Sequence, residues 1–190
     1  MFDDKVKKFL LLLARTSVES HLNNKKISEM NFNNIPSILK KKLPLFVTIY
    51  KGKFIKGSMG FFPVITLPIY KAVQEAAILA ATRDPRYPSI RSYELSEIIF
   101  EISIIKSFFP LNSYREYKKE YGIFLKYEDQ IGIILPQIAK RYNWQEEGIL
   151  KEACLKANLP PEFYKSKNVS LTALEVESFS EYGFEKQIEE

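Results

Sequence analysis

The strand-forming segments of this chain arrive in pairs, and that pairing restricts the fold more than any other feature. Leu45–Tyr50 is built from Phe, Val, Thr, Ile and Tyr, side chains that suit a pleated, half-buried surface. Gly52 sits in a short turn before a second such run, Phe54–Phe61. Gly122–Tyr127 and Ile131–Leu135 flank another turn at Glu128-Asp129-Gln130. Each pair is followed by a proline near a helix start, Pro68 or Pro136, and then by helical periodicity. Residues 45–83 and 122–157 therefore form a topological repeat, although their sequences barely match. Hairpin strands pair antiparallel, whereas a parallel sheet needs a crossover helix between strands. The expected class is α+β, with antiparallel or mixed sheets.

The remaining elements follow from local patterning. Val6, Phe9, Leu10, Leu13 and Ser17 share one side of an amphipathic helix over residues 5–21. A polar loop with Asn23, Asn24, Asn31, Asn33 and Asn34 follows, and Pro36 opens a short helix to about Lys41. Thr66 is read as the cap of the alanine-rich helix, with Pro68 in its first turn. Asp84-Pro85-Arg86-Tyr87-Pro88 stops that helix, because proline cannot continue it. Ser96–Ser107 reads as a long strand ended by Pro110. Asn143 and Glu146 have capping-box spacing at the start of the last long helix. Leu171–Ser180 alternates as a final strand, and the acidic tail 181–190 is expected to fray.

Composition excludes several chemistries. Cys154 is the single cysteine, so no internal disulfide and no thiolate metal cluster can form. With His21 as the single histidine, a zinc site built from His and Cys lacks its three or four ligands. Carboxylate sites for magnesium or calcium remain open. The strongest apolar stretches, Phe9–Ala14 and Ile98–Ile105, fall far short of the ~20 residues that span a membrane. Acidic residues follow Met1-Phe2, where a signal peptide carries positive charge, so the expected compartment is the cytoplasm. No Gly-rich nucleotide loop and no Gly-x-Ser-x-Gly elbow occurs. His21 reads as a surface residue, Cys154 as a small buried hydrophobe and Trp144 as a core anchor.

One segment carries a chemical suggestion. Ile55-Lys56-Gly57-Ser58-Met59-Gly60 places two glycines inside a strand, which weakens it unless another backbone or a ligand approaches closely. Alternation points Ile55, Met59 and Phe61 one way and Lys56, Ser58 and Gly60 the other. The segment resembles the hallmark Leu-Arg-Gly-Cys-Ile-Gly of the AMMECR family. The resemblance extends to Leu45-Phe46-Val47-Thr48-Ile49, Asp84-Pro85-Arg86-Tyr87-Pro88 and Glu101-Ile102-Ser103. It continues through Leu135-Pro136-Gln137-Ile138-Ala139 with Trp144 following, and Leu159-Pro160-Pro161, so it covers residues 5 to 180 in order. It implies a single domain over 1–180, built as two intertwined repeats of strands and helices. It also implies association, in prokaryotes, with Memo-type proteins and radical S-adenosylmethionine proteins. It names no reaction and no cofactor. Ser58 stands where the family usually has cysteine, and Lys56 where it has arginine, so thiolate chemistry at that spot is impossible here.

Three functions are in contention. A binding module acting with partner proteins fits the lack of an evident nucleophile and base. An enzyme or enzyme component, linked to radical S-adenosylmethionine chemistry, would use a polar cleft. Its catalytic candidates are Lys56, Ser58 and Glu101, and its binding candidates are Gly57, Ser58, Gly60, Asp84, Arg86, Ser103 and Gln137. That reading requires the Lys56–Ser58 face and the Glu101–Ser103 face to coincide. Nucleic-acid binding, the least favoured, would use the basic first third. Residues 1–60 hold twelve Lys or Arg against four acids, and the rest hold sixteen against nineteen.

Overall fold

A computed structural model describes residues 2–25 and 35–185. Asn31, Asn33 and Asn34 lie outside the described residues. The elements are α1 (Asp4–Leu22), β1 (Leu45–Lys51), β2 (Phe54–Phe61), α2 (Ile69–Thr82) and β3 (Ile98–Leu111). They continue with β4 (Gly122–Tyr127), β5 (Gln130–Ile134), α3 (Pro136–Arg141), α4 (Glu146–Lys156), β6 (Ser170–Ser180) and the short α5 (Tyr182–Glu185). The chain divides into two compact units, residues 1–104 with 178–190, and residues 105–177. The strands are hydrogen-bonded in the order β2-β1-β3-β6-β4-β5, and the hairpins are antiparallel. The α+β reading therefore holds.

In the first unit, one face of the sheet is apolar. Leu45, Val47 and Ile49 from β1 and Ile98, Phe100, Ile102 and Ile104 from β3 join the core. The helices supply Leu10, Leu13 and Ala14 from α1 and Ala72, Ala76, Ala77 and Ala80 from α2. Alanine lets α2 lie close. A Cβ placed on Gly57 would stand 2.8 Å from the Ala80 carbonyl carbon and closer still to its oxygen. Glycine at that position is thus required by a helix backbone. Glu181, just after β6, is also anchored. Glu181, read from sequence as the start of a loose acidic tail, accepts from Arg15 Nε at 2.7 Å and Arg15 Nη2 at 2.6 Å. The Phe100 amide donates to the same carboxylate at 2.8 Å.

The second unit repeats the plan. Ile123, Leu125, Ile134, Ile149, Leu150, Ala153 and Leu171 form its core, and Cys154 is buried among them. Trp144 packs against this core, as an anchor would. A Cβ on Gly132 of β5 would stand 2.9 Å from the Ala153 carbonyl carbon of α4, the same close approach that Gly57 makes to α2.

Several local expectations are corrected. Thr66 does not cap α2. Pro68 occupies the cap position, with φ −65° and ψ 153°, and no side chain bonds the first turn. Asn143 does not cap α4. It takes φ 53° after α3, and Gln145 stands at the helix cap. Pro110 does not end β3, which runs on to Leu111 through an exposed stretch where proline's missing N–H costs little. Ile55 does not share a face with Met59 and Phe61. A register shift pairs Ile49 with Gly57 but Tyr50 with Ile55, so Lys56 is the extra residue of a β-bulge. Met59 and Phe61 pack against the core, and Ile55 instead stands opposite Tyr50.

Candidate functional site

The glycine strand β2 is an end strand of the sheet, so one row of its backbone groups has no strand beside it. At Ser58 that row is covered by the segment after α2. The Ser58 amide donates to Asp84 Oδ2 at 2.8 Å, and the Ser58 carbonyl accepts from Arg86 Nη2 at 2.8 Å. Asp84 and Arg86 thus offer one acceptor and one donor, as a neighbouring strand would. They are locked to each other as well. Arg86 Nε reaches Asp84 Oδ1 at 2.9 Å, Arg86 Nη2 reaches Oδ2 at 2.7 Å, and the Arg86 amide closes a turn on Oδ1 at 3.1 Å. Pro85 between them fixes the backbone that brings both side chains to one strand edge.

The electrostatics follow from burial. The Asp84 side chain is 1% exposed and that of Arg86 48%. Burial pushes the Asp84 carboxyl up, but the Arg86 guanidinium, the Ser58 amide and the Arg86 amide together hold it below its ordinary value. The carboxylate in turn raises Arg86 against the lowering effect of its own desolvation.

The polar face expected at the strand exists. Thr48 of β1 stands opposite both Ser58 and Glu101, so the three share one face in a row across β2, β1 and β3. The required coincidence of faces is met. Ser58 Oγ and Thr48 Oγ1 are 2.8 Å apart. Glu101 Oε1 accepts from the Tyr50 hydroxyl at 3.0 Å. Two strand spacings, about 10 Å, separate the Ser58 and Glu101 backbones. Lys56, displaced by the bulge, has its ion pair at 3.3 Å with Glu94, which also takes the Arg91 amide at 3.0 Å. The Arg91 amide, then Lys56 and Lys51, hold the Glu94 carboxyl below its ordinary value despite desolvation. Gly60 lies opposite Phe46, where a Cβ would meet the Phe46 Cα at 2.7 Å. Ser103 is buried with its hydroxyl 3.1 Å from that of Ser178.

Gln137 belongs to the second unit, in the first turn of α3, and the other candidates belong to the first. Sequence reasoning missed Thr48, Tyr50 and Glu94. Period-two alternation in β1 would have exposed the first two. Glu94 gave no signal, since the residue three before it is Arg91, outside the usual capping types. Among the described residues, no helix is long and apolar enough to cross a membrane, and no three His, Cys, Asp or Glu side chains form a metal-holding group.

Comparison with known proteins places this geometry in a lineage. The family model AMMECR1 matches residues 11–179. Protein MJ0810 of Methanocaldococcus jannaschii is 32% identical over 91% of this chain and 89% of its own length. Protein MK0488 of Methanopyrus kandleri is 34% identical over 91% and 87%. The crystal structure of the uncharacterized protein PH0010 from Pyrococcus horikoshii superposes with a TM-score of 0.86 at 28% identity, covering 95% of this chain and 93% of that one.

Proposed function

Since this chain belongs to the AMMECR1 family, we propose that it works as a binding module acting with protein partners in the cytoplasm, and that Arg86 is its docking point. The observation behind this reading is the combination of exposure and fixation at that residue. The guanidinium is half exposed, yet Asp84 and the Ser58 carbonyl hold its Nε and Nη2 in place. Among the described residues its Nη1 makes no hydrogen bond. A side chain ordered before binding loses little entropy on binding, and a planar guanidinium suits a carboxylate or phosphate on the incoming surface. The partners this reading favours are a Memo-type protein and a radical S-adenosylmethionine protein.

Calorimetric titration of each purified partner into wild type and Arg86→Lys tests the proposal. Binding to wild type that weakens about tenfold in the lysine variant supports it, because lysine keeps the charge and loses the fixed fork. Failure of both partners to bind wild type overturns it. A second reading, an enzyme component with a polar cleft, draws support from the row Ser58, Thr48 and Glu101 on one sheet face. It predicts turnover that falls in Ser58→Ala and Glu101→Gln while partner binding stays unchanged.

A further inference from the structure

The second unit contains an open groove of about 400 Å³ that no sequence motif announced. That volume is within the range of small-molecule sites. Tyr114 and Tyr164 meet edge to face in its wall, with ring centroids 5.3 Å apart. Leu150 and Tyr117 add apolar surface. Burial, with Glu146 and Glu120 nearby, pushes the Tyr117 phenol well above its usual value, and its hydroxyl is spent on the Tyr121 carbonyl at 2.9 Å. Tyr117 therefore offers its ring rather than its hydroxyl.

Four charged side chains line the same groove: Arg115, Lys165, Glu146 and Glu147. Two are engaged outside it. Glu147 pairs with Lys151 at 2.8 Å, and Lys165 pairs with Glu162. The other two are not. Among the described residues, the Arg115 guanidinium has no hydrogen bond or ion pair and lies over the Tyr114 ring at 5.7 Å. The half-buried Glu146 carboxylate has neither as well. The groove thus presents one unpaired cation, one unpaired anion and aromatic walls.

We infer that this groove binds a small zwitterion with a flat apolar body, the chemistry of a free aromatic amino acid. A dianion would set its second anionic group against Glu146, and a polyamine would set its second ammonium against Arg115. A zwitterion pairs with both, and its ring stacks on the tyrosines. The inference stands apart from the Arg86 reading, since every residue it uses lies in the second unit.

Three soluble probes separate the contributions: L-phenylalanine, phenethylamine without the carboxylate, and 3-phenylpropionate without the ammonium. Saturation-transfer NMR titrations are run on wild type, Arg115→Gln and Glu146→Gln, each first checked for folding by its thermal melt. On wild type, L-phenylalanine binds about tenfold tighter than either truncated probe, as one lost charge-assisted hydrogen bond requires. Arg115→Gln weakens L-phenylalanine and 3-phenylpropionate about tenfold and leaves phenethylamine unchanged, and Glu146→Gln does the converse. Absence of L-phenylalanine binding to wild type, equal affinity of the three probes, or equal weakening of all three in the folded variants overturns the inference.

Discussion

Replacing Gly57 by alanine tests the packing argument on which the glycine strand rests. Strand propensity alone predicts a gain, because alanine loses about 0.5–1 kcal/mol less than glycine on ordering. The structure predicts a loss. The new methyl group would lie 2.8 Å from the Ala80 carbonyl carbon and nearer its oxygen, and both atoms are helix backbone that no rotamer change can move. Relief requires α2 to retreat by about 1 Å, and a gap of that size forfeits a quarter to a half of the dispersion attraction across it. The turns nearest Gly57 bury Ala76, Ala77, Ala80 and Ala81. If each makes on the order of 15 contacts of about 0.15 kcal/mol, losing a third costs about 3 kcal/mol.

After the propensity gain the net loss is about 2 kcal/mol, which lowers the melting temperature of a domain this size by roughly 4–8 °C. Gly148→Ala is the control. Its Cβ would meet nothing nearer than Trp144 Cβ at 3.7 Å, ordinary contact, and it lies within α4. That variant should gain about 0.5–1 kcal/mol from helix propensity. Thermal melts by circular dichroism and urea unfolding give both values. A Gly57→Ala protein as stable as wild type, or as improved as Gly148→Ala, refutes the reasoning. The same test at Gly132, under Ala153, should show a loss of similar size.

Three further outcomes are expected. The folded Asp84 carboxyl lies below its ordinary value of 3.8, so its stabilising contribution is complete above that pH and is lost as pH falls through the folded value. Asp84→Asn should therefore be less stable at pH 7 yet lose less on acidification below about pH 4, and parallel acid unfolding curves for the two proteins would contradict this. Glu181→Ala removes a two-pronged bond to Arg15 and the acceptor for the Phe100 amide, and should cost roughly 1.5–3 kcal/mol in urea unfolding; an unchanged midpoint would show that these bonds contribute nothing. Cys154 is buried and burial raises its thiol, so a thiol-reactive dye should label the native protein only as fast as the second unit opens, and immediate labelling would contradict the packing.

The hairpins were legible because strand propensity and a polar turn agree, at Leu45–Phe61 around Gly52 and again at residues 122–135 around Glu128-Asp129-Gln130. The helix starts were less so. Thr66 and Asn143 have the right chemistry for caps, but the chain enters α2 through Pro68 and turns through a left-handed Asn143 before α4. The bulge at Lys56 depends on the register against β1, and no local pattern in Phe54–Phe61 encodes it. Lys56 pairs with Glu94, a residue more than thirty positions away with no motif around it. Asp84 and Arg86 stand out in sequence as binding candidates of one short segment, but their grip on the Ser58 backbone could only come from the fold.

The two glycines of the hallmark segment now have physical causes that do not involve a ligand. Gly57 admits the carbonyl of Ala80, and Gly60 admits the backbone of Phe46. The backbone of Ser58 between them is held by Asp84 and Arg86, and its hydroxyl meets Thr48. Every constraint at position 58 except the hydroxyl contact is therefore a main-chain constraint, which a cysteine would satisfy equally well. If position 58 served chemistry through its side chain, Ser58→Cys would change activity while leaving stability alone. If it serves the strand edge, Ser58→Cys should melt within about 1 kcal/mol of wild type, while Ser58→Pro, which deletes the amide that Asp84 accepts, should fall by about 3 kcal/mol or more. A proline variant as stable as the cysteine one would show that the Asp84 clamp contributes nothing to holding β2.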